Sequence, residues 1–263
     1  MHKIGFIGCG NMGRAMLQGI IDQGVVAPGD VIVSARTRET LDAVQARFGV
    51  DVSSDNTQAC KASIVFLAVK PQMYEGVIEQ IASHIPADAV LVSIAPGKSL
   101  AWLAEKSGMR KIVRLMPNTP AAVGEGMTAV VLGDACDEAD AEAMLALVNS
   151  FGSSEVVPEH LIDAATAAAG CSPAFVYMFI EAMADAAVLE GMPRTQAYRF
   201  ASQAVLGAAK MVLESGQHPG SLKDAVCSPG GTTIEGVRVL EKHGLRSAVT
   251  EALVATVAKA QRL

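Results

Sequence analysis

The sequence predicts an α/β fold in which an N-terminal parallel sheet is followed by an all-helical C-terminal domain. Up to about residue 155, short β-branched runs alternate with helical patterns, and strand patterns stop after Val157. Such alternation is typical of βαβ units in a parallel sheet buried on both faces. We therefore expect two domains, residues 1–157 and residues 158–263, which a chain of 263 residues is long enough to form.

Short apolar runs predict the strands of the N-terminal domain. A helix rich in Ala, Glu and Leu, from about Glu138 to Asn149, is expected to separate the last two. The predicted strands are Ile4–Ile7, Val31–Val33, Ile64–Val69, Val90–Ile94, Ile112–Leu115, Met127–Leu132 and Glu155–Val157.

The C-terminal domain is expected to be a series of helices. Its most apolar stretch, residues 164–188, is interrupted by Glu181 and Asp185, so we expect a buried helix and no membrane span. Apolar residues make up 51% of the chain and charged residues 18%, which favours an oligomer because much helical surface must then contact protein. The expected helix breaks are at Pro173, Pro193, Pro219 and Pro229.

Composition excludes several classes of function. The net charge is −6 and no Lys/Arg cluster lies on a predicted helix face, which argues against nucleic-acid binding. The five cysteines form no CxxC pair and the five histidines are scattered, so we expect no metal site. The first strand begins at Lys3, which leaves no room for a signal peptide and predicts a cytoplasmic protein.

A glycine-rich turn predicts a dinucleotide site. Gly8-Cys9-Gly10-Asn11-Met12-Gly13 directly follows the first strand and opens the first helix, which is the context that the GxGxxG pattern requires. The glycines allow a tight turn, close approach of a pyrophosphate and close packing of helix on strand, which indicates a Rossmann-type domain. The alternative is a glycine turn with a packing role only.

The end of the second strand favours NADP(H), with NAD(H) as the alternative cofactor. An acidic residue there would repel a 2′-phosphate, but this chain has Ser34, Arg36 and Arg38, and a hydroxyl and guanidinium suit a phosphate. The two arginines could instead be solvated loop charges. Later strand ends should line the same crevice with the small residues and prolines of Ala68, Val69, Lys70 and Pro71 and of Ala95, Pro96 and Gly97.

A second glycine-rich turn, Ser228-Pro229-Gly230-Gly231-Thr232-Thr233, precedes a predicted helix. Free backbone N–H groups and hydroxyls at a helix start could bind a carboxylate. An ordinary N-cap built by Ser228 or Thr232 would use the same residues. The spacing alone does not decide between these two interpretations.

The chain resembles the pyrroline-5-carboxylate reductases over essentially its full length. The resemblance is carried by Gly8–Gly13, by Met116-Pro117-Asn118-Thr119-Pro120, and above all by the run from Gln217 to Thr233. It implies NAD(P)H-dependent reduction of the cyclic imine 1-pyrroline-5-carboxylate to L-proline, the last step of proline biosynthesis. It also implies a homodimer, or a ring of dimers, joined through the C-terminal domain.

The resemblance implies roles for individual residues. Backbone amides of Ser228, Gly230, Gly231, Thr232 and Thr233 would bind the substrate carboxylate, and the Thr233 hydroxyl, as the catalytic group, would bond the ring nitrogen. No His or Glu catalyst is needed, because an iminium carbon is already electrophilic. The implied cofactor contacts are Ile7, Gly8, Cys9, Gly10, Asn11, Met12, Asn56, Ala68–Pro71 and Ala95–Gly97.

Two other classes of protein share part of this pattern. A β-hydroxyacid dehydrogenase, or a reductase of another imine, would have the same two-domain layout. A hydroxyacid enzyme needs a positioned lysine early in its second domain, and none lies between Val156 and Lys210. A cofactor-sensing protein without turnover would not need the turn at residues 228–233.

Overall fold

The computed structural model of the chain describes residues 2–262, which form two compact units. One unit runs through Cys171 and also takes in the C-terminal helical turns from Thr256 onward, and the other unit is Ser172–Ala255. The expected domain boundary between residues 157 and 158 falls at the end of the last strand, before this division. That boundary stays a prediction.

The first unit contains an eight-stranded sheet with the order β3-β2-β1-β4-β5-β6-β7-β8. Six of its strands lie where the sequence predicts them, within a few residues. The strand Asp51–Ser53 has no counterpart in the prediction, and the last strand begins earlier than predicted. The strands are β1 Ile4–Ile7, β2 Val31–Ser34, β3 Asp51–Ser53, β4 Ile64–Leu67, β5 Val90–Ser93, β6 Ile112–Met116, β7 Gly126–Leu132 and β8 Gly152–Val156.

One pairing in the sheet is antiparallel. β7 runs against β6, with Val113 opposite Leu132, while every other neighbouring pair is parallel. The segment that joins β6 to β7 contains only the 3₁₀ turn Thr119–Val123. Because a parallel crossover needs about a dozen or more residues, this short connection reverses the chain direction.

Helices cover both faces of the sheet. Met16 and Leu17 of α1, Val44 of α2 and Met144 of α6 pack with β1 residues into one apolar cluster. Residues of α3, α4 and α5, including Ile78 and Leu103, form a second cluster on the opposite face. The helices of this unit are α1 Asn11–Asp22, α2 Arg38–Phe48, α3 Asn56–Ala59, α4 Tyr74–Ile81, α5 Leu100–Ser107, α6 Glu138–Val148 and α7 Ile162–Ala165.

After β8 the described chain is helical, as the sequence predicts. A π-helical turn, Thr166–Cys171, precedes α8, and Pro173 therefore lies in the first turn of a helix instead of breaking one. Pro193 precedes α9, and Pro219 is the first residue of α10. These helices are α8 Ser172–Leu189, α9 Arg194–Ser215, α10 Pro219–Ala225, α11 Thr232–Lys242 and α12 Leu245–Ala260.

The expectation that the apolar stretch at residues 164–188 is buried is wrong for the single chain. Ala184 is the buried residue of α8, whereas Tyr177 and Met178 are 60% and 69% exposed. The helical segment Glu159–Leu189 is long and apolar enough to cross a membrane, but core helices of soluble proteins meet the same criteria of length and composition. An apolar sequence pattern predicts that a helix will be covered, but it does not show which surface covers it.

Candidate active site

The glycine-rich turn lies where the strand order of the sheet reverses. β1 has β2 on one side and β4 on the other, so Ile7 is opposite both Ser34 and Leu67. Ligands of open α/β sheets bind outside the carboxyl ends of the strands at this switch point. The turns that follow β1, β2 and β4 therefore border one crevice, which we call the switch-point crevice.

The fold requires glycine at Gly8, and Gly13 lies close to the neighbouring strand end. Gly8 has φ +86°, and a Cβ there would lie 2.7 Å from Val69 Cγ1 and 2.8 Å from the Ala68 carbonyl oxygen. The Gly8 N–H also donates to the Ser34 carbonyl at 2.8 Å. A Cβ on Gly13 would lie 3.4 Å from Ala68 Cβ, so the helix packs closely on this strand end.

The N-terminus of α1 is open to an anion. Its N-cap is Gly10, which supplies no side-chain hydrogen bond, and no acidic residue lies in the first turn. By contrast, the N-cap side chains Thr37 of α2 and Asp137 of α6 accept hydrogen bonds from backbone amides. Unpaired N–H groups and the helix dipole at α1 favour a phosphate. The turn therefore fits a dinucleotide pyrophosphate.

Cys9 and Met12 face the core from this turn. Cys9 is buried, and this burial raises the pKa of its thiol to about 11, so the group is neutral at physiological pH. Met12 packs against the same apolar cluster. Asn11, the first residue of α1, is exposed. Any contribution of Cys9 and Met12 to a ligand would come from their backbones.

Arg36 and Arg38 line one cavity of about 470 Å³ with Leu41, Val52, Ser53 and Ser54, at the ends of β2 and β3. Arg38 Nε lies 2.9 Å from Asp42 Oδ1, so its charge is partly neutralised. Arg36 is exposed and has no carboxylate partner among residues 2–262. The two arginines thus lie at the same cavity beside the end of β2, and their binding of a phosphate stays a prediction.

Ser34 and Asn56, predicted from different arguments, are bonded to each other. The buried Ser34 hydroxyl donates to Asn56 Oδ1 at 2.8 Å, and Asn56 Nδ2 donates to Gln80 Oε1 at 2.9 Å. This chain of hydrogen bonds ties the end of β2 to α3 and α4. The Ser34 hydroxyl is thus already engaged, and its direct contact with a cofactor stays a prediction.

The turns after β4 and β5 contain the remaining predicted crevice residues. The Ala68 N–H donates to the Ile7 carbonyl at 2.8 Å, which places this turn beside the glycine turn. Lys70 is exposed and precedes the 3₁₀ turn Pro71–Met73. Ala95 is buried, whereas Pro96 and Gly97 are exposed. Sequence reasoning did not identify Tyr74, whose hydroxyl lies between these two strand ends, because a single buried tyrosine forms no motif.

In the second unit, the turn at residues 228–233 also ends at an uncapped helix. The N-cap of α11 is Gly231, and no side chain accepts a hydrogen bond there. The alternative interpretation from the sequence, an N-cap built by Ser228 or Thr232, is therefore wrong. Gly230 has φ +68°, and the Gly231 N–H donates to the Ser228 carbonyl at 3.0 Å. The first amides of α11 are therefore available to an anion.

The side chains of this turn are accessible. Thr232 and Thr233, the first two residues of α11, are exposed, as are Ser228 and Gly230. A Cβ on Gly231 would lie 2.3 Å from Ser228 Oγ, so the serine hydroxyl lies directly beside Gly231. The turn thus presents hydroxyls and amides together, which suits a small carboxylate.

Two family profiles match separate parts of the chain. A profile described as pyrroline-5-carboxylate reductase dimerisation matches residues 159–263. A profile described as NADP oxidoreductase, coenzyme F420-dependent, matches residues 3–97, which include β1 to β5 and the glycine turn.

Proteins from several organisms are similar along the whole chain. Pyrroline-5-carboxylate reductase of Escherichia coli is 50% identical over 263 residues, covering 99% of this chain and 98% of the relative. A Coxiella burnetii pyrroline-5-carboxylate reductase structure has a TM-score of 0.94 and 33% identity, covering 99% of this chain and 98% of that chain. A Plasmodium falciparum pyrroline carboxylate reductase structure with NADP bound has a TM-score of 0.89 and 32% identity, covering 99% and 97%.

These similarities span both units, and they include the glycine turn before α1 and the turn before α11. Full-length identity at this level is not produced by a shared fold alone. The chain belongs to the pyrroline-5-carboxylate reductase family.

Proposed function

We propose that the chain reduces 1-pyrroline-5-carboxylate to L-proline with NADPH. The observation that carries this proposal is the 50% identity to the Escherichia coli enzyme over 99% of the chain. Two uncapped helix starts, at Gly10 and Gly231, support it because the reaction needs one site for a pyrophosphate and one for a small carboxylate.

The switch-point crevice fits a dinucleotide. Gly10 leaves open space, since a Cβ there would meet no atom within 4 Å, and the α1 amides behind it are uncapped. When bound, the nicotinamide supplies the hydride. Gly8–Gly13 would hold the pyrophosphate, and the turns at Ala68–Pro71 and Ala95–Gly97 would border the ribose and nicotinamide.

The substrate turn would bind and orient the imine. The Gly231 N–H is already engaged with the Ser228 carbonyl, so its contact with the substrate stays a prediction. Amides at the start of α11, at Thr232 and Thr233, would hold the carboxylate, and the Thr233 hydroxyl would bond the ring nitrogen. That nitrogen is protonated before reduction and keeps its proton, so the carbon gains the hydride and the C=N double bond becomes a single bond. Because no further proton transfer is needed at the moment of hydride transfer, orientation is the main contribution of these residues.

A steady-state assay tests this function directly. We expect purified protein to oxidise NADPH at 340 nm only when the imine is present, and to form one L-proline for each NADPH consumed. A protein that binds NADPH without consuming it would be a cofactor sensor. A protein that oxidises NADPH with other cyclic imines but not with this one would be a reductase of another substrate.

Arg36 is proposed to select NADPH through the 2′-phosphate. We expect Arg36→Ala to raise KM for NADPH about tenfold or more while changing KM for NADH little, since charge-assisted bonds to a phosphate contribute about 1.5–3 kcal/mol. Arg38→Ala is the matched control, because Arg38 already pairs with Asp42 and should have the smaller effect. Equal changes for the two cofactors would remove Arg36 from the selectivity.

Self-association follows from the dimerisation profile, and we propose a homodimer or a ring of dimers joined through the helical unit. The exposed apolar residues of α8, including Val176, Tyr177, Met178 and Phe179, support this proposal because they leave a surface that a second copy can cover. A cytoplasmic location is part of the same proposal. Light scattering after gel filtration measures the assembly without detergent.

A further inference from the structure

The loop that joins β5 to α5, residues 94–99, is held at both ends by hydrogen-bonding side chains, of which Tyr74 is buried and Glu159 is partly exposed. This loop contains Ala95, Pro96 and Gly97, and Gly97 adopts φ +71°. Loops of this kind are normally among the more mobile parts of a protein. The contacts at its two ends therefore decide how well its shape is fixed before a ligand binds.

Tyr74 holds the start of the loop. It is the first residue of α4 and is fully buried, and its hydroxyl donates to the Leu67 carbonyl at 2.5 Å. The same oxygen accepts from the Ile94 N–H at 3.2 Å and from the Ser93 hydroxyl at 3.3 Å. One side-chain oxygen thus connects the carboxyl ends of β4 and β5, from which both proposed cofactor turns begin.

Burial keeps this hydroxyl protonated. It raises the pKa of Tyr74 to about 12, so the group remains a donor to the Leu67 carbonyl at neutral pH and well above it. Because the Tyr74 hydroxyl is both a donor and an acceptor, it can bond the Leu67 carbonyl at the end of β4 and the Ile94 N–H after β5 at the same time. Phenylalanine would fill the same space but leave both buried backbone groups without this partner.

Glu159 holds the other end of the loop. Its Oε1 accepts from the Leu100 N–H at 2.7 Å and from Arg114 Nη1 at 2.6 Å. Arg114 lies in the middle of β6 and is only 5% exposed, so its guanidinium gives Glu159 a fixed position. Bonds of this kind between charged groups are stronger than neutral ones.

We infer that Tyr74 and Glu159 are positioning residues that fix the 94–99 loop in the shape that binds the nicotinamide half of the cofactor. This inference rests on the proposed function. Neither residue is expected to touch the cofactor or the imine. Their effect is to order the loop in advance, so that binding does not have to order it.

Tyr74→Phe is the principal test, made in the full chain. We expect Kd for NADPH to rise about tenfold, a change of about 1.4 kcal/mol, and KM for the imine to change less. Trp102 is the only tryptophan, so energy transfer from it to NADPH measures cofactor binding. Hydrogen exchange of amides 94–100, measured without cofactor, should become faster.

Two further variants keep the test decisive. Glu159→Gln retains an oxygen acceptor and should fold, with faster exchange at Leu100 and a smaller rise in Kd. Ser107→Ala is the control, because it removes a buried hydroxyl that donates to the Leu103 carbonyl at 2.6 Å, at the far end of α5. It should leave both loop exchange and Kd unchanged.

The outcomes separate this inference from the proposed function. Wild-type protein that fails to consume NADPH with the imine would refute the function, whatever the variants do. Unchanged hydrogen exchange at residues 94–100 in Tyr74→Phe would show that Tyr74 does not hold the 94–99 loop in place. Faster exchange with unchanged Kd, or an equal rise in Kd for Ser107→Ala, would refute the positioning role while leaving the function intact.

Discussion

Replacement of Thr233 by alanine is expected to lower kcat about ten- to a thousandfold, the usual consequence of losing one hydrogen bond oriented on the reacting group. In the proposed mechanism the Thr233 hydroxyl bonds the ring nitrogen, whose environment changes as the C=N bond is reduced. The carboxylate is held by backbone amides, which alanine keeps. We therefore expect KM for the imine to rise less than kcat falls.

The structure predicts that this variant folds normally. Thr233 is exposed, and it lies in the first turn of a helix whose N-cap is Gly231. Thr233→Ser retains the hydroxyl and should recover most of the activity, and Thr232→Ala, next to it in the same turn, should have the smaller effect on kcat. Steady-state kinetics with saturating NADPH measure all three. A wild-type kcat in Thr233→Ala would remove the hydroxyl from the mechanism.

The parts of the sheet that the sequence predicted have strong local signals. β1 and β4 are nearly continuous apolar runs, which is the pattern typical of strands that are buried on both faces of a parallel sheet. β3 was missed because it has three residues and Val52 is its only apolar one, between Asp51 and Ser53. The reversal at β7 was not predicted, although the short interval between the predicted strands Ile112–Leu115 and Met127–Leu132 is visible in the sequence and is too short for a parallel crossover.

The two glycine-rich turns of the candidate site could be predicted from the sequence. Gly8 and Gly230 adopt positive φ, and glycine in such turns is visible in a sequence. Whether the helix after such a turn is capped is not visible, because Ser228 could have accepted a bond from an amide of α11. In the structure, the N-cap of α11 is Gly231 and no side chain accepts this bond.

The sequence gives no sign of the ion pair that holds Glu159 in position. Glu159 and Arg114 are 45 positions apart, and nothing in either segment indicates that they pair. The exposed surface of α8 is a related case, since an apolar helix looks the same whether its own chain or a second copy covers it. The dimerisation profile supplies the information that the single chain lacks.

Replacement of Gly10 by alanine is expected to raise Kd for NADPH about a hundredfold, because a methyl group there would keep the pyrophosphate from the α1 amides and weaken several charge-assisted hydrogen bonds. The fold should be unaffected. Gly10 has φ −74°, which any residue adopts, and a Cβ would meet no atom within 4 Å. Titration of Trp102 fluorescence with NADPH measures the affinity, and thermal unfolding measures the stability.

Gly8→Ala is the matched comparison, because there the fold itself requires glycine. Its φ of +86° and the 2.7 Å approach of Val69 Cγ1 to a Cβ should destabilise the protein by about 2–5 kcal/mol, so Tm and affinity should fall together. The two variants thus separate a glycine that the turn needs from one that only the ligand needs. If Gly10→Ala binds NADPH as tightly as the wild type, the turn has a packing role only, as the sequence alone allowed.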